Sequence, residues 1–419
     1  MYFLGAEKKE SDINALVLYK SQSIHLENIV SNIRKNTKID INFKYIIDDS
    51  IDEVEYFKVW ETIENYLNSD SRLKDIDMLF GIPYEYQESL INKNKLLNLN
   101  YEISDEILGN IYEPIIDIAK KVGSGNIYFL SPTFSSQFLS INDDFFYRNG
   151  IEPPNTVMSW KNLERIFKSL DSGEEVFSLG PGGLEGISSD LEILLSGLSR
   201  KFIEDGKIYE DKDLVKELKW FIEFYKNYGY KKSYVEDSIV NKNVAARVIY
   251  PPQLSELTKN KHVNFKYSIH PLPTFRGLED TANIRIQPIS ILASTNKKYE
   301  CINVLSYIMS KDFAKFTIKE KYYMPDGDFV SYIDNEIKEL YKDKYKLENV
   351  DFIYFGSKGA VNKSKFSLYE YYAFHEVSNL IIQDTIINNL NTEESINRIK
   401  IDFIKRSNQL REDIHNWII

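Results

Sequence analysis

The chain has 419 residues, 43% of them hydrophobic, and a formal net charge of −11. This length points to two or three domains with ample material for apolar cores, and the spread-out acidity argues against nucleic acid or an anionic membrane as the main partner. One cysteine, Cys301, excludes an intrachain disulfide, and no apolar run is long enough to span a bilayer.

Taken in order, residues 13–19 are an apolar strand. Leu26, Ile29, Val30 and Ile33 then recur at helical spacing. Ile41, Phe43, Tyr45 and Ile47 alternate as a strand does. Tyr56, Trp60, Ile63 and Leu67 stripe a helix over residues 56–67, a strand follows at 76–80, and a short helix at 84–91. Strands alternating with helices predict a βαβ sheet covered on both faces. Ligands bind such sheets beyond the carboxyl ends of the strands. That rule selects the rim formed by Lys20-Ser21-Gln22 and by residues 81–86. Residues 104–122 have a helical pattern interrupted by Pro114, which predicts two short helices.

The stretch from 126 to 170 organises the rest. An apolar run at 127–130 is stopped by Pro132, and a mostly polar link at 133–137 leads to a second apolar run at 138–141. Asn142, Asp143 and Asp144 open a short helix, followed by Asn149-Gly150, Pro153-Pro154 and a helix from Ser159-Trp160. A strand, a short polar crossing and a second strand suit a chain leaving one lobe for another. Further on, residues 176–179 form a strand before Gly180-Pro181-Gly182-Gly183, which lacks the phosphate-loop pattern and reads as a tight turn. Ser189 with Glu192 makes a capping box. Leu214, Leu218, Phe221 and Tyr225 stripe a helix closed by Gly229, with Trp220 beside the stripe. Residues 244–250 are apolar, a strand is expected at 284–292, and a helix at 299–309 places Cys301 in the core with Leu305 and Ile308. Two helices, 370–389 and 392–413, close the chain, the last capped by Asn391 with Glu394.

The search for reactive groups finds little. There is no HExxH, GxSxG or paired CxxC motif, and the histidines (25, 262, 270, 375, 415) lack metal-ligand spacing. Asp143-Asp144 are explained by the dipole of the helix they start. No cofactor is called for, and nothing points to the opposed carboxylates of a glycosidase.

Several segments together resemble the extracellular solute-binding proteins of ABC importers, in the maltose-binding-protein-like branch. The family pattern is a strand ending in Pro, a polar crossing, a strand ending in Asn, and a Gly-Ile-x-Pro-Pro-x-Thr-Trp run before a helix. Here the pieces are Leu130-Ser131-Pro132, Ser135-Ser136, residues 142–145, residues 150–154 and residues 156–160, with Val157 and Met158 inserted before Ser159-Trp160. Tyr267 to Phe275, YSIHPLPTF, is similar to the second crossing, and Tyr322-Tyr323-Met324-Pro325 to the third. The resemblance implies an α/β, two-lobe, periplasmic-binding-protein-like clamshell with crossings near 131–136, 268–272 and 320–325. The lobes would be 1–131 with 271–320, and 135–267 with 324–419. It implies a binding protein rather than an enzyme, which captures a sugar or oligosaccharide and delivers it, as a monomer, to a membrane permease. Receptors for a peptide or organic anion, a sensor subunit and a carbohydrate-active enzyme are the alternatives.

Rim position and resemblance together nominate Ser21 and Gln22 after the first strand, Phe80, Tyr84 and Tyr86 after the third, and Ser135 and Ser136 on the first crossing, where the family often places a carboxylate. They add Tyr250 and Gln253, where the family's stacking Trp is absent, then Arg285 and Gln287 after the second crossing, and Tyr371 and Tyr372 on the penultimate helix. Trp60, Trp160 and Trp220 fall on or beside helical stripes and Trp417 near the chain end, so stacking is expected from Tyr or Phe, led by Tyr84 and Tyr372. Residues 1–6 are too short for the apolar core of a signal peptide. Residues 7–12 suit a tether, and the resemblance implies a cell-surface lipoprotein whose export segment is absent here.

Overall fold

The computed structural model describes residues 11–19, 23–47, 62–63, 65–154, 159–170, 176–178, 203–204, 207–208, 212–229, 243–273, 284–320, 329–347, 350–355 and 368–418, and for some of these, including Tyr19, Tyr84, Tyr371 and Tyr372, the backbone alone. The chain divides into two compact units. The first is Met1–Ser135 with Arg285–Glu348, and the second is Ser136–Ile284 with Asn349–Ile419.

The first unit opens with β1 (Ser11–Tyr19), α1 (Ser23–Thr37), β2 (Ile39–Ile47), β3 (Met78–Phe80) and α2 (Tyr84–Asn92). Helix α1 buries Leu26, Ile29 and Ile33, one stripe at helical spacing. Next come α3 (Asp105–Gly109) and α4 (Glu113–Val122). Pro114 lies in the first turn of α4, where its missing N–H costs nothing. Strands β4 (Phe129–Leu130) and β5 (Thr133–Ser135) end this segment.

The second unit begins with β6 (Phe138–Asn142) and α5 (Asp143–Arg148). Asn142 caps α5, its Oδ1 accepting from the Phe145 N–H at 3.0 Å. The segment continues through α6 (Trp160–Ser169), β7 (Phe177–Ser178), the small pair β8 (Ile203–Glu204) and β9 (Lys207–Ile208), α7 (Lys212–Tyr228), β10 (Ala246–Ile249), α8 (Pro251–Lys259) and β11 (Tyr267–Pro271). The chain then resumes the first unit with β12 (Arg285–Ile286), β13 (Ile289–Ile291), α9 (Lys298–Ile308), α10 (Lys311–Glu320), β14 (Phe329–Val330) and α11 (Asn335–Tyr345). Finally α12 (Phe352–Phe355), α13 (Leu368–Ile387) and α14 (Thr392–Ile418) complete the second.

The first unit holds a five-stranded sheet in the order β2-β1-β3-β13-β4 and a three-stranded sheet β12-β5-β14. β1 is parallel to β2 and β3, while β13 runs antiparallel between β3 and β4. The carboxyl ends of β3 and β4 therefore share an edge with the start of β13, where Ile289 faces Phe80 on one side and Leu130 on the other. In the second unit the order is β11-β6-β10-β7. Its core is aromatic on one side, where Phe224 packs against Trp160, Phe167, Phe177, Trp220 and Tyr228. Cys301 is fully buried, its thiol pushed up to about 12 by desolvation. Among the described residues no helix is long and apolar enough to cross a membrane.

Three expectations need correction. The strand expected at 284–292 is two strands in two sheets, because Pro288 has no N–H to donate and the Gln287 N–H bonds the Ser131 hydroxyl instead (2.7 Å). Residues 268–272 are not a crossing. Ser268 to Pro271 pair with β6 inside the second unit, and the chain changes unit at 284/285. The third change comes at 348/349 rather than near 320–325. β14 pairs with β5, and Tyr341 and Tyr345 of α11 pack on Phe329, so residues 329–348 stay in the first unit. The expected capping box at Ser189 and the stretch 322–325 lie outside the described residues.

Candidate ligand-binding face of the first unit

The three-stranded sheet is amphipathic by its alternation. Phe134 on β5 stands opposite Ile286 and Phe329, and this apolar side packs on Tyr112 (5.0 Å between centroids) and, through Phe329, on Tyr341. The other side carries Thr133 and Ser135 of β5, with Arg285 of β12 paired to Ser135 and the buried Val330 of β14 paired to Thr133. Continuing that register one step past Ile286 brings Gln287 level with Thr133. Arg285 is exposed, whereas Thr133 and Gln287 are 1% and 9% exposed.

Buried hydroxyl and amide groups normally find partners. The backbone here is well tied. Ser131 Oγ donates to the Thr133 carbonyl at 2.6 Å, Ser331 Oγ donates to the Ser131 carbonyl, and the Ser331 N–H donates to the Pro132 carbonyl at 2.8 Å. Yet Thr133 Oγ1 has no hydrogen-bond partner, and the side-chain amide of Gln287 bonds none of the described residues. That amide lies across Gly81, at the carboxyl end of β3. A β-carbon on Gly81 would stand 2.9 Å from Gln287 Oε1, and the backbone there has φ +66°. The Gly81 N–H meanwhile donates to the Pro288 carbonyl at 2.9 Å.

The other nominated residues fall as follows. Phe80 is buried with Phe43 edge-on at 5.6 Å, and half-buried Tyr86 packs on the apolar cluster around Leu79 and Leu90, so both carry packing in the first unit. Tyr84 is the first residue of α2, and Tyr371 and Tyr372 lie in the first turn and a half of α13, each described by its backbone only. Ser21 and Gln22 lie outside the described residues. Ser136 is buried in the link between β5 and β6. In the second unit Gln253 reaches back to the start of α8, where its Oε1 accepts from the Tyr250 N–H at 2.9 Å. That is a capping role for the pair.

Sequence reading missed Thr133. The alternation Ser131, Thr133, Ser135 was visible, but which hydroxyl lacks a partner depends on pairing with residues 285–287. It also missed the contact chain in which Ser268 Oγ donates to Asp143 Oδ1 at 2.8 Å and lies 2.9 Å from His270 Nε2. Burial raises the Asp143 carboxyl and lowers the His270 imidazole from their usual values. The order is acid, hydroxyl, imidazole. A hydrolase needs the imidazole in the middle to take the hydroxyl proton, so this chain ties α5 to β11. Among the described residues no cluster of three His, Cys, Asp or Glu side chains is placed to hold a metal ion.

No family model matches the sequence. Solved structures do match its fold from end to end. A sugar transporter structure from Rhizobium etli superposes over 94% of this chain and 98% of its own at TM-score 0.68 and 11% identity. The sugar-binding protein MalE of Xanthomonas citri does so over 97% and 99% at 0.67 and 12%. An ABC substrate-binding protein of Listeria monocytogenes, solved in complex with cycloalternan, covers 97% and 99% at 0.62 and 15%. With both units built on open α/β sheets and the chain changing unit three times, the protein has the two-lobe, periplasmic-binding-protein-like fold that these structures share.

Proposed function

We propose that this protein captures a neutral sugar or oligosaccharide outside the cytoplasm and hands it to the membrane permease of an ABC importer. It acts as a monomer held at the cell surface by a lipid anchor and performs no chemistry of its own. The observation that carries the reading is the polar side of the small sheet in the first unit. Its buried members, Thr133, Ser135 and Gln287, offer uncharged hydrogen-bonding groups that match hydroxyls, with the exposed Arg285 at their margin. Proteins of like fold point the same way, one being a sugar-binding protein and another having been solved with cycloalternan. Ser21 and Gln22, which follow β1, would add further polar contacts, and Tyr84 and Tyr372 the aromatic stacking.

The test is a thermal-shift screen over neutral mono-, di- and oligosaccharides, linear polyols, amino acids, peptides and organic anions. A carbohydrate at ~100 Kd should stabilise the protein by about 2.7 kcal/mol. Stabilisation by amino acids, peptides or anions alone would overturn the reading, and so would turnover of a glycoside. For the stacking residue, Tyr372→Ala is expected to weaken the carbohydrate roughly 30-fold, an aromatic contact with its area being worth on the order of 2 kcal/mol. The melting temperature of the free protein should hold. A collapse in melting temperature with affinity intact would place that ring in the core.

A further inference from the structure

A buried hydroxyl without a partner and a side-chain amide come level at one corner of the first unit. Thr133 Oγ1 is buried without a partner, and the Gln287 amide, level with it in the register, bonds none of the described residues. Leaving the Thr133 hydroxyl buried and unpaired costs stability. The surrounding backbone is fixed by the Ser131 and Ser331 hydroxyls, so neither group can relax by local unravelling of the strands. Gly81 forms the wall beside them. It is the residue that leaves room for the amide, since any β-carbon would stand 2.9 Å from Gln287 Oε1.

We propose that Thr133 and Gln287 form a specificity-determining pair that reads two neighbouring hydroxyls of the carbohydrate, an inference that rests on the sugar-binding reading above. A primary amide presents one acceptor oxygen and two N–H donors, and a threonine hydroxyl can both donate and accept. A vicinal diol, whose two hydroxyls donate two protons and can accept through four lone pairs, can fill both acceptors and all three donors. A carboxylate or phosphate only accepts, and would leave Gln287 Oε1 facing an anion. The pair therefore selects a neutral polyhydroxylated ligand over an acidic one. It also selects against a deoxy sugar lacking the hydroxyl that meets Thr133, because that side chain would then stay buried and unpaired.

The experiment uses the full chain and two near-isosteric variants, Thr133→Val and Gln287→Met. Each is titrated calorimetrically with the neutral saccharide or polyol that most raises the melting temperature of the wild type. Each variant is expected to bind about 3- to 10-fold more weakly, the usual worth of a neutral hydrogen bond. The free form of Thr133→Val should melt at or above the wild-type temperature, since an unpaired buried hydroxyl has been removed, and that of Gln287→Met should melt close to it. A purely structural role would lower the melting temperature and leave affinity alone. Affinities within twofold of wild type for both variants would overturn this inference while the sugar-binding reading stands. A wild-type protein that binds none of the saccharides or polyols would overturn both. If one variant fails to fold, the other decides.

Discussion

Gly81 shows how one residue's conformation reaches a neighbouring strand. Its φ of +66° lies where a β-carbon is disfavoured, and that carbon would also press on the Gln287 amide. Gly81→Ala is therefore expected to cost about 1–2 kcal/mol in chemical denaturation, and to lose carbohydrate affinity as Gln287 is displaced. His270 makes a second residue-scale case. Burial lowers its pKa from 6.5, so its contribution to stability is complete above that value and is lost as pH falls through the lower folded value. Asp143, raised from 3.8 by burial, works in the opposite sense, with a contribution complete below 3.8 and lost as pH rises through its folded value. Unfolding free energy measured from pH 7 down to 5 should fall, and His270→Gln should flatten that limb. An unaltered slope would assign the acid sensitivity elsewhere. At this scale sequence alone nominated Ser135, Arg285 and Gln287 but not Thr133. Side-chain types can be read in a sequence, whereas a missing partner is a property of residues 150 or so positions apart in the chain brought level by strand pairing.

Elements were the most legible scale, because caps and periodicities are local. Pro114 divided α3 from α4. Asn391 caps α14 as its sequence position suggested, its Oδ1 accepting from the Glu393 and Glu394 N–H groups at 2.9 and 3.1 Å. Asn142 goes further. Its Oδ1 caps α5 while its Nδ2 donates to the Val244 carbonyl at 3.3 Å, all with 1% of its surface exposed. Asn142→Ala should cost about 2 kcal/mol, more than an exposed cap, since a buried carbonyl is orphaned as well. Equilibrium unfolding in urea measures this, and a change under 0.5 kcal/mol, roughly that of an ordinary surface substitution, would refute it. The split of the 284–292 run into β12 and β13 was not legible. The apolar alternation shifts phase at Pro288, from Ile284 and Ile286 to Ile289 and Ile291, but only the presence of two sheets shows that Gln287 turns the chain from one to the other.

For the whole molecule, the two-unit plan could be read from the sequence but the second and third changes of unit could not, because they depend on which strands β11 and β14 pair with. The first two changes have a simple geometry. The chain leaves the first unit at Ser135 and returns at Arg285, and these two residues are antiparallel partners. Residues 136–284 thus sit where the turn of a hairpin would be. Joining Ser135 to Arg285 through Asn-Gly, a turn that suits such a pair, should give a first unit of residues 1–135 and 285–348 that unfolds cooperatively by itself. Residues 1–135 alone should not, because β13 fills the place between β3 and β4. Circular dichroism with urea titration distinguishes the two, and a cooperative transition for 1–135 alone would contradict the sheet order. The same interleaving sets a timetable during translation. The strand that holds β3 and β4 together leaves the ribosome only after most of the second unit has emerged, and that unit in turn waits for α13 and α14 at the end of the chain. Neither unit can finish while the other is still unsynthesised, so for most of its synthesis the nascent protein exposes unpaired strand edges, the state that chaperones must shield before the last helix is released.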